Sequence, residues 1–391
     1  MSSKFKIWQF ILTMFIIAGC SSPAPNQPAL NMEIAVTNAV ATMLAELSPT
    51  PEPPTQSSAT ATLEPTATQI FSLTPPALPD EFKSDLLNPL DTPHAYIGNQ
   101  CEYLNKKWNQ GKSEPGTVLI PIMFHSITQG EATQDNAISK QDYKRLMDDL
   151  FELGFEAVNM QQAVGFLYEN ADIPRLSVLL IVDDRHYREY FDTTFRKYHE
   201  DWGWPVVNSW INQDDAIYTQ VIQQNVNLSY EGWVDYQSHG YVHNIPMSDN
   251  SSDEYLLGEL QGSMDKMTRD FGKSPIAIIW PGGGFGLRPA QTAVEVGYRV
   301  GFTINPRGPI MFNWVPLADD SDPMRPSYLP EGQVGLPLMT LPRYWDTDLR
   351  AHLDEIRQIS SSAAEFHKAN RATELEYYRI VCAPKYGPLG E

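Results

Sequence analysis

Two acids and two histidines in this chain have the types and spacing to do chemistry. Asp183 and Asp184 follow directly on an apolar run, Ser177-Val178-Leu179-Leu180-Ile181-Val182. Adjacent carboxylates can divide labour, one binding a cation while its neighbour stays free as a base. Farther along, Ser238-His239-Gly240-Tyr241-Val242-His243 sets two imidazoles at i and i+4. In a helical or turn-like backbone both rings project to one side and can grip one divalent cation, provided an anionic third ligand joins them. The acid pair can supply it. Plainer readings stay open: acids after a strand can cap the amides of a following helix, and loop histidines can have unrelated partners.

Such residues need strand ends to hold them. Residues 177–182, bounded by Pro174 and the acids, read as a strand buried on both faces, the pattern of a parallel sheet. Its C-terminal end is where α/β folds place their sites. Further strands are expected at 118–124, 156–158, 205–211, 233–237, 275–280, 299–304 and 336–341. Helices are expected at 139–153, 160–168, 187–200, 218–225, 254–271, 288–296 and 352–370. Ser139 with Asp142 gives the second element a capping start, and Gly154 gives it a stop. Seven or so β-α units favour an α/β fold with a parallel sheet, closed as a barrel or left open. The strand-poor stretch 305–334 would lie over one end of it, and no internal repeat is detectable.

The chain's 391 residues divide by composition into an N-terminal leader, a tail and one folded domain. Lys4 and Lys6, the apolar stretch 7–17 and Ile17-Ala18-Gly19-Cys20 make a secretory signal peptide whose end resembles the bacterial lipobox, so Cys20 is expected to carry lipid. Residues 21–94 are rich in Pro, Thr and Ser, as in Ser48-Pro49-Thr50-Pro51-Glu52-Pro53-Pro54, and read as an extended stalk, with a transient helix at 31–47. The folded domain is expected over 95–391. Cys101 and Cys382 lie near its two ends, and in an oxidising compartment such a pair is more often a disulfide than two buried thiols. A formal charge of −20 argues against nucleic acid and admits a neutral or cationic substrate. Nine Trp and eighteen Tyr suit sugar-face stacking as well as an ordinary large core.

With these segments placed, the chain resembles the polysaccharide deacetylase family, the NodB-homology domain of carbohydrate esterase family 4. Ile181-Val182-Asp183-Asp184-Arg185 matches its T-F-D-D-G motif, His239 and His243 its H-x-x-x-H, Trp280-Pro281-Gly282-Gly283 its third motif, and Gly297-Tyr298 its Gly-Tyr pair. Ile122-Met123-Phe124-His125-Ser126 is similar to the segment that opens the permuted, poly-N-acetylglucosamine type. The resemblance spans roughly 118–343 and implies a distorted (β/α)7 barrel. It also implies Asp183 as general base, His125 as general acid, and Asp184, His239 and His243 as ligands of a divalent metal, zinc suiting them best. The implied reaction is hydrolysis of N-acetyl groups on a hexosamine polymer. Trp280, Pro281 and Arg343 would line the substrate pocket, although Trp280 could instead close the barrel, and Arg343 at a strand end could also orient Asp183. Two departures stand out: Arg185 replaces glycine, where it could pair with Asp183 and weaken it as a base, and Ile181 replaces threonine. They keep a second reading open, a silent, glycan-binding surface lipoprotein. Either way the expected protein is an exported, lipid-anchored monomer.

Overall fold

The computed structural model describes residues 74–390. Cys20, the leader and the helix expected at 31–47 lie outside the described residues. The strands are β1 (Asp91–His94), β2 (Val118–Phe124), β3 (Ser126–Thr128), β4 (Ala137–Ser139), β5 (Glu156–Ala157), β6 (Leu176–Val182), β7 (Val206–Trp210), β8 (Val234–Ser238), β9 (Ala277–Ile279), β10 (Val300–Phe302), β11 (Val315–Ala318) and β12 (Tyr344–Trp345). The main sheet runs β10-β9-β8-β7-β6-β2-β12, with every neighbouring pair parallel. β2 and β6 are its longest strands, paired over their full length from Val118↔Leu176 to Phe124↔Val182.

A short segment joins the two sheet edges. Leu341 bridges Phe302 of β10, while Tyr344 and Trp345 pair with Ile122 and Met123 of β2. With β2, β6, β7, β8, β9 and β10, this closing stave makes the distorted (β/α)7 barrel that the family resemblance implied, the closed form of the parallel sheet expected from the alternation. Residues 336–341 are therefore not a regular strand. Pro337 opens a 3-10 turn (Pro337–Met339) and Pro342 has no N–H to give a ladder, so pairing is reduced to a bridge and two residues.

The packing alternates along each strand. Leu119, Leu179, Ile181, Val207, Ile279, Phe302 and Leu341 pack together inside the barrel. Val118, Ile120, Ile122, Phe124, Val178, Leu180 and Val182 pack outward with residues of the covering helices, such as Leu146 of Lys140–Glu152 and Phe191 of Arg188–Thr194. The stretch expected as one helix at 187–200 is two, Arg188–Thr194 and Arg196–Trp202.

The segment 305–334 holds more order than its sequence suggested. β11 pairs antiparallel with β1, Ile310 bridges Leu119 at the start of β2, and Ile310, Val315 and Leu317 plug the inner core. Trp314 donates its indole N–H to the carbonyl of Phe82 at 2.9 Å. Packing thus takes in residues 82–94, which composition had assigned to the stalk. Cys101 and Cys382 are bonded, tying the helix Gln100–Trp108 to the end of the chain.

Candidate active site

Strand parity decides what faces the barrel mouth. With a period of two, the inward positions that follow Leu119 in β2 and Ile181 in β6 lead to His125 and Asp183. Val207 faces in while Val206, Trp210, Val234 and Tyr236 face out. By the same count Ser209 and His239 point to the same place.

Asp183 is 2% exposed and sits among these groups. Arg343 donates from Nη1 to Oδ1 at 2.8 Å and from Nη2 to Oδ2 at 3.1 Å, and Ser209 Oγ donates to Oδ1 at 2.8 Å. His125 Nε2 and His239 Nε2 lie 3.6 and 4.0 Å from Oδ2. Burial alone would raise this carboxyl, but Arg343, then His239 and His125, hold it far below the usual carboxylate range. Asp183 is therefore ionised at any working pH. Arg343 is fully buried and anchored by Nε to the Thr303 carbonyl at 2.7 Å. It lies behind Asp183 and orients it, as its strand-end position suggested; it does not line a substrate pocket.

Asp184 leaves β6 in the left-handed region, at φ 69°, which Asp tolerates better than most side chains. Asn208 Nδ2 fixes the turn by donating to the carbonyls of Val182 at 2.9 Å and Asp184 at 2.8 Å. The turn swings the second carboxylate away from the first and towards the histidines, with Oδ1 3.9 Å from His239 Nε2. One ligand atom each from Asp184, His239 and His243 lie within 4.8 Å of one another. Bonds of about 2 Å to one tetrahedral cation ask for separations of roughly 3.4 Å, so the three groups are gathered and need only modest closing.

The imidazoles are prepared for that task. His239 Nδ1 lies 2.8 Å from the Ile279 carbonyl, which can only accept, so Nδ1 carries the proton and the Nε2 lone pair faces the site. Burial lowers its pKa to about 4 against the opposing pull of Asp183, so the ring is neutral at pH 7, as a ligand must be. The His243 ring centroid is 4.3 Å from that of His239. The connecting chain is a turn, not a helix, with Gly240 at φ 77° and His243 at φ 61°. A Cβ at residue 240 would come within 2.6 Å of Glu259 Oε2 and 2.8 Å of Pro281 Cγ, so this position requires glycine.

Two other expectations need correction. Arg185 does not touch Asp183; its guanidinium grips Asp215 at 3.0 and 2.7 Å and the Gln213 carbonyl at 3.1 Å. Nor does its replacement of glycine strain the chain, because the positive φ falls one residue earlier, at Asp184. Trp280 is fully buried and gives its indole N–H to the Met339 carbonyl at 2.8 Å. It closes the barrel wall, and Pro281, also buried, backs the turn at Gly240; neither lines a pocket for substrate. His125 stacks on Trp345, centroids 5.8 Å apart at 13°, and its carbonyl accepts from Tyr190 Oη at 3.0 Å.

Sequence reasoning passed over Asn208, Ser209, Glu259 and Asp346. Asp346 follows Trp345 on the closing stave, its carboxyl pushed up to about 7 by burial, and Oδ2 has no hydrogen-bond partner. None of the four stands in a motif. Only a parity count along β7 could have turned Ser209 inward.

No family model and no curated protein matches the chain. Among solved structures it is similar to the Streptococcus pyogenes deacetylase PplD in complex with acetate, at 16% identity and a TM-score of 0.47, covering 61% of this chain and 98% of that one. It is similar to the BpsB deacetylase domain from Bordetella bronchiseptica, at 16% and 0.44, covering 60% and 97%. For IcaB from Ammonifex degensii the identity is 13%, the TM-score 0.44 and the coverage 65% and 100%. Overlaps this distant leave the roles of individual residues to the chemistry of this chain.

Proposed function

We propose that the protein is a metal-dependent hydrolase that removes N-acetyl groups from an N-acetylhexosamine polymer outside the cell, held to a membrane through lipid on Cys20. The observation that carries the reading is the convergence of Asp184, His239 and His243 within 4.8 Å, at the mouth of the barrel that also presents Asp183 and His125. Two neutral imidazoles and one carboxylate suit zinc best, and such a set leaves coordination positions open. A divalent ion bound there supplies Lewis acidity to water and to the acetyl carbonyl.

The remaining steps belong to the chain. Asp183, ionised and aimed by Arg343 and Ser209, accepts the proton of the attacking water. Its low basicity makes it a weak acceptor, which the adjoining His125, 3.6 Å away, offsets by offering a second site for the proton. His125 then protonates the leaving amine, which is too basic to depart as an anion. Its stacking on Trp345 fixes the ring plane.

Acetate release from chitooligosaccharide or poly-N-acetylglucosamine, compared between the parent and Asp183→Asn, tests the assignment. The variant is expected to retain its metal and lose roughly 10²- to 10⁴-fold in rate, the range of a removed general base. A zinc-loaded parent that releases no acetate from either polymer refutes it and leaves a glycan-binding lipoprotein.

A further inference from the structure

Glu259 is a buried carboxylate with no cation beside it. It is 2% exposed, on the helix Asp253–Phe271, and it makes no ion pair among the described residues. Its partners are successive backbone amides of the turn before His243. Tyr241 N–H donates to Oε2 at 2.8 Å, Val242 N–H to Oε1 at 3.0 Å and Oε2 at 3.2 Å, and His243 N–H to Oε2 at 3.4 Å. Three converging N–H groups form a cradle that favours negative charge, and here a side chain of the same molecule fills it.

One turn further along the same helix face, Ser263 Oγ shares a hydrogen bond with Ser238 Oγ at 2.6 Å and accepts from Asn212 Nδ2 at 2.7 Å. Asn212 Nδ2 also reaches the Gly240 carbonyl at 3.2 Å. Residues four apart stand on one helix face, so Glu259 and Ser263 clamp both sides of the turn that carries the two histidines. That turn needs clamping, because it holds a non-glycine residue, His243, at φ 61°.

We propose that Glu259 is a positioning residue that sets the distance between the His239 and His243 rings and thereby the affinity of the cation site. The inference rests on the metal-site reading above and assigns the turn's geometry to one side chain outside it. A glutamine fits the same space but offers one acceptor oxygen in place of two and turns an N–H₂ towards donors. The turn then opens and His243 swings out.

Cobalt(II) titration of metal-stripped protein, read by its visible absorption, is the test. In Glu259→Gln, folded by circular dichroism at the temperature of the titration, cobalt affinity is expected to fall roughly 10- to 100-fold, the usual cost of removing a partner outside the ligand shell. The absorption bands are expected to shift as the third ligand is lost. Glu259→Asp keeps the charge and withdraws it by one methylene; it carries the same expectation if the glutamine variant does not fold. Parent affinity and parent bands in the folded variant overturn the proposal while leaving the metal site standing. A parent that takes up no cobalt overturns both.

Discussion

Asp183 and Asp346 illustrate how two buried carboxyls in one barrel end up with opposite acidities. Asp183 meets a guanidinium, a hydroxyl and two imidazoles, whereas Asp346 meets burial without a compensating cation. The signs of their effects on stability differ accordingly. The depressed Asp183 stabilises the fold above its unfolded pKa of about 3.9, and that contribution is lost as pH falls below it. The raised Asp346 favours the fold when protonated, and this contribution is lost as pH rises from about 3.9 through about 7. Thermal melts of Asp346→Asn against the parent are therefore expected to show a gain in stability at pH 8 that shrinks towards pH 4; a gain independent of pH would contradict this. Arg343→Met strands Asp183 without its cation and is expected to cost about 3–5 kcal/mol in urea unfolding, as for other broken buried pairs. The four residues of the candidate metal and base set were legible because their spacing is local and their types are rare. Arg343 was legible only as a guess, since 160 positions separate it from Asp183.

At the scale of elements, the sequence announced those strands whose burial is continuous. β2 and β6 read as unbroken apolar runs and are buried throughout, or nearly so. The closing stave and the β1–β11 pair gave no such signal. Each is short, each contains or adjoins proline, and each is held by partners far away in the chain, such as Asp91↔Ala318. The turn 238–243 shows what local pattern can and cannot supply. H-x-x-x-H was read as one-sided spacing, and the structure reaches the same result through two left-handed residues. Gly240→Ala must both adopt φ 77° and collide with Glu259 and Pro281. It is expected to weaken metal binding more than an Ala substitution at Gly258, where nothing lies within 4 Å of the added Cβ. Calorimetric zinc titrations of the two variants compare them directly.

For the domain as a whole, the helix Gln100–Trp108 is joined twice to the C-terminal helical stretch, by Cys101–Cys382 and by the buried pair Lys107–Glu374 at 2.8 Å. His367 is half-buried beside this pair, with Nδ1 2.9 Å from Lys107 Nζ; burial and then the Lys107 charge lower its pKa to about 3, so it stays neutral. Cys101→Ser removes a link spanning 281 positions and is expected to cost about 2–5 kcal/mol, visible as a lowered unfolding midpoint that reductant reproduces in the parent. The whole chain's charge of −20 favours polymers that already carry free amines. Raising ionic strength past about 0.15 M, where screening falls to about 8 Å, is expected to raise KM for partly deacetylated chains and leave fully acetylated ones unchanged.

The account stands on one shared cation among Asp184, His239 and His243. Its most direct test is acetate release by metal-stripped protein before and after zinc is restored, in the parent and in His243→Ala. Release is predicted to vanish on stripping and to return with zinc in the parent alone. Acetate produced at the parent rate by the stripped protein, or by the variant, would contradict it.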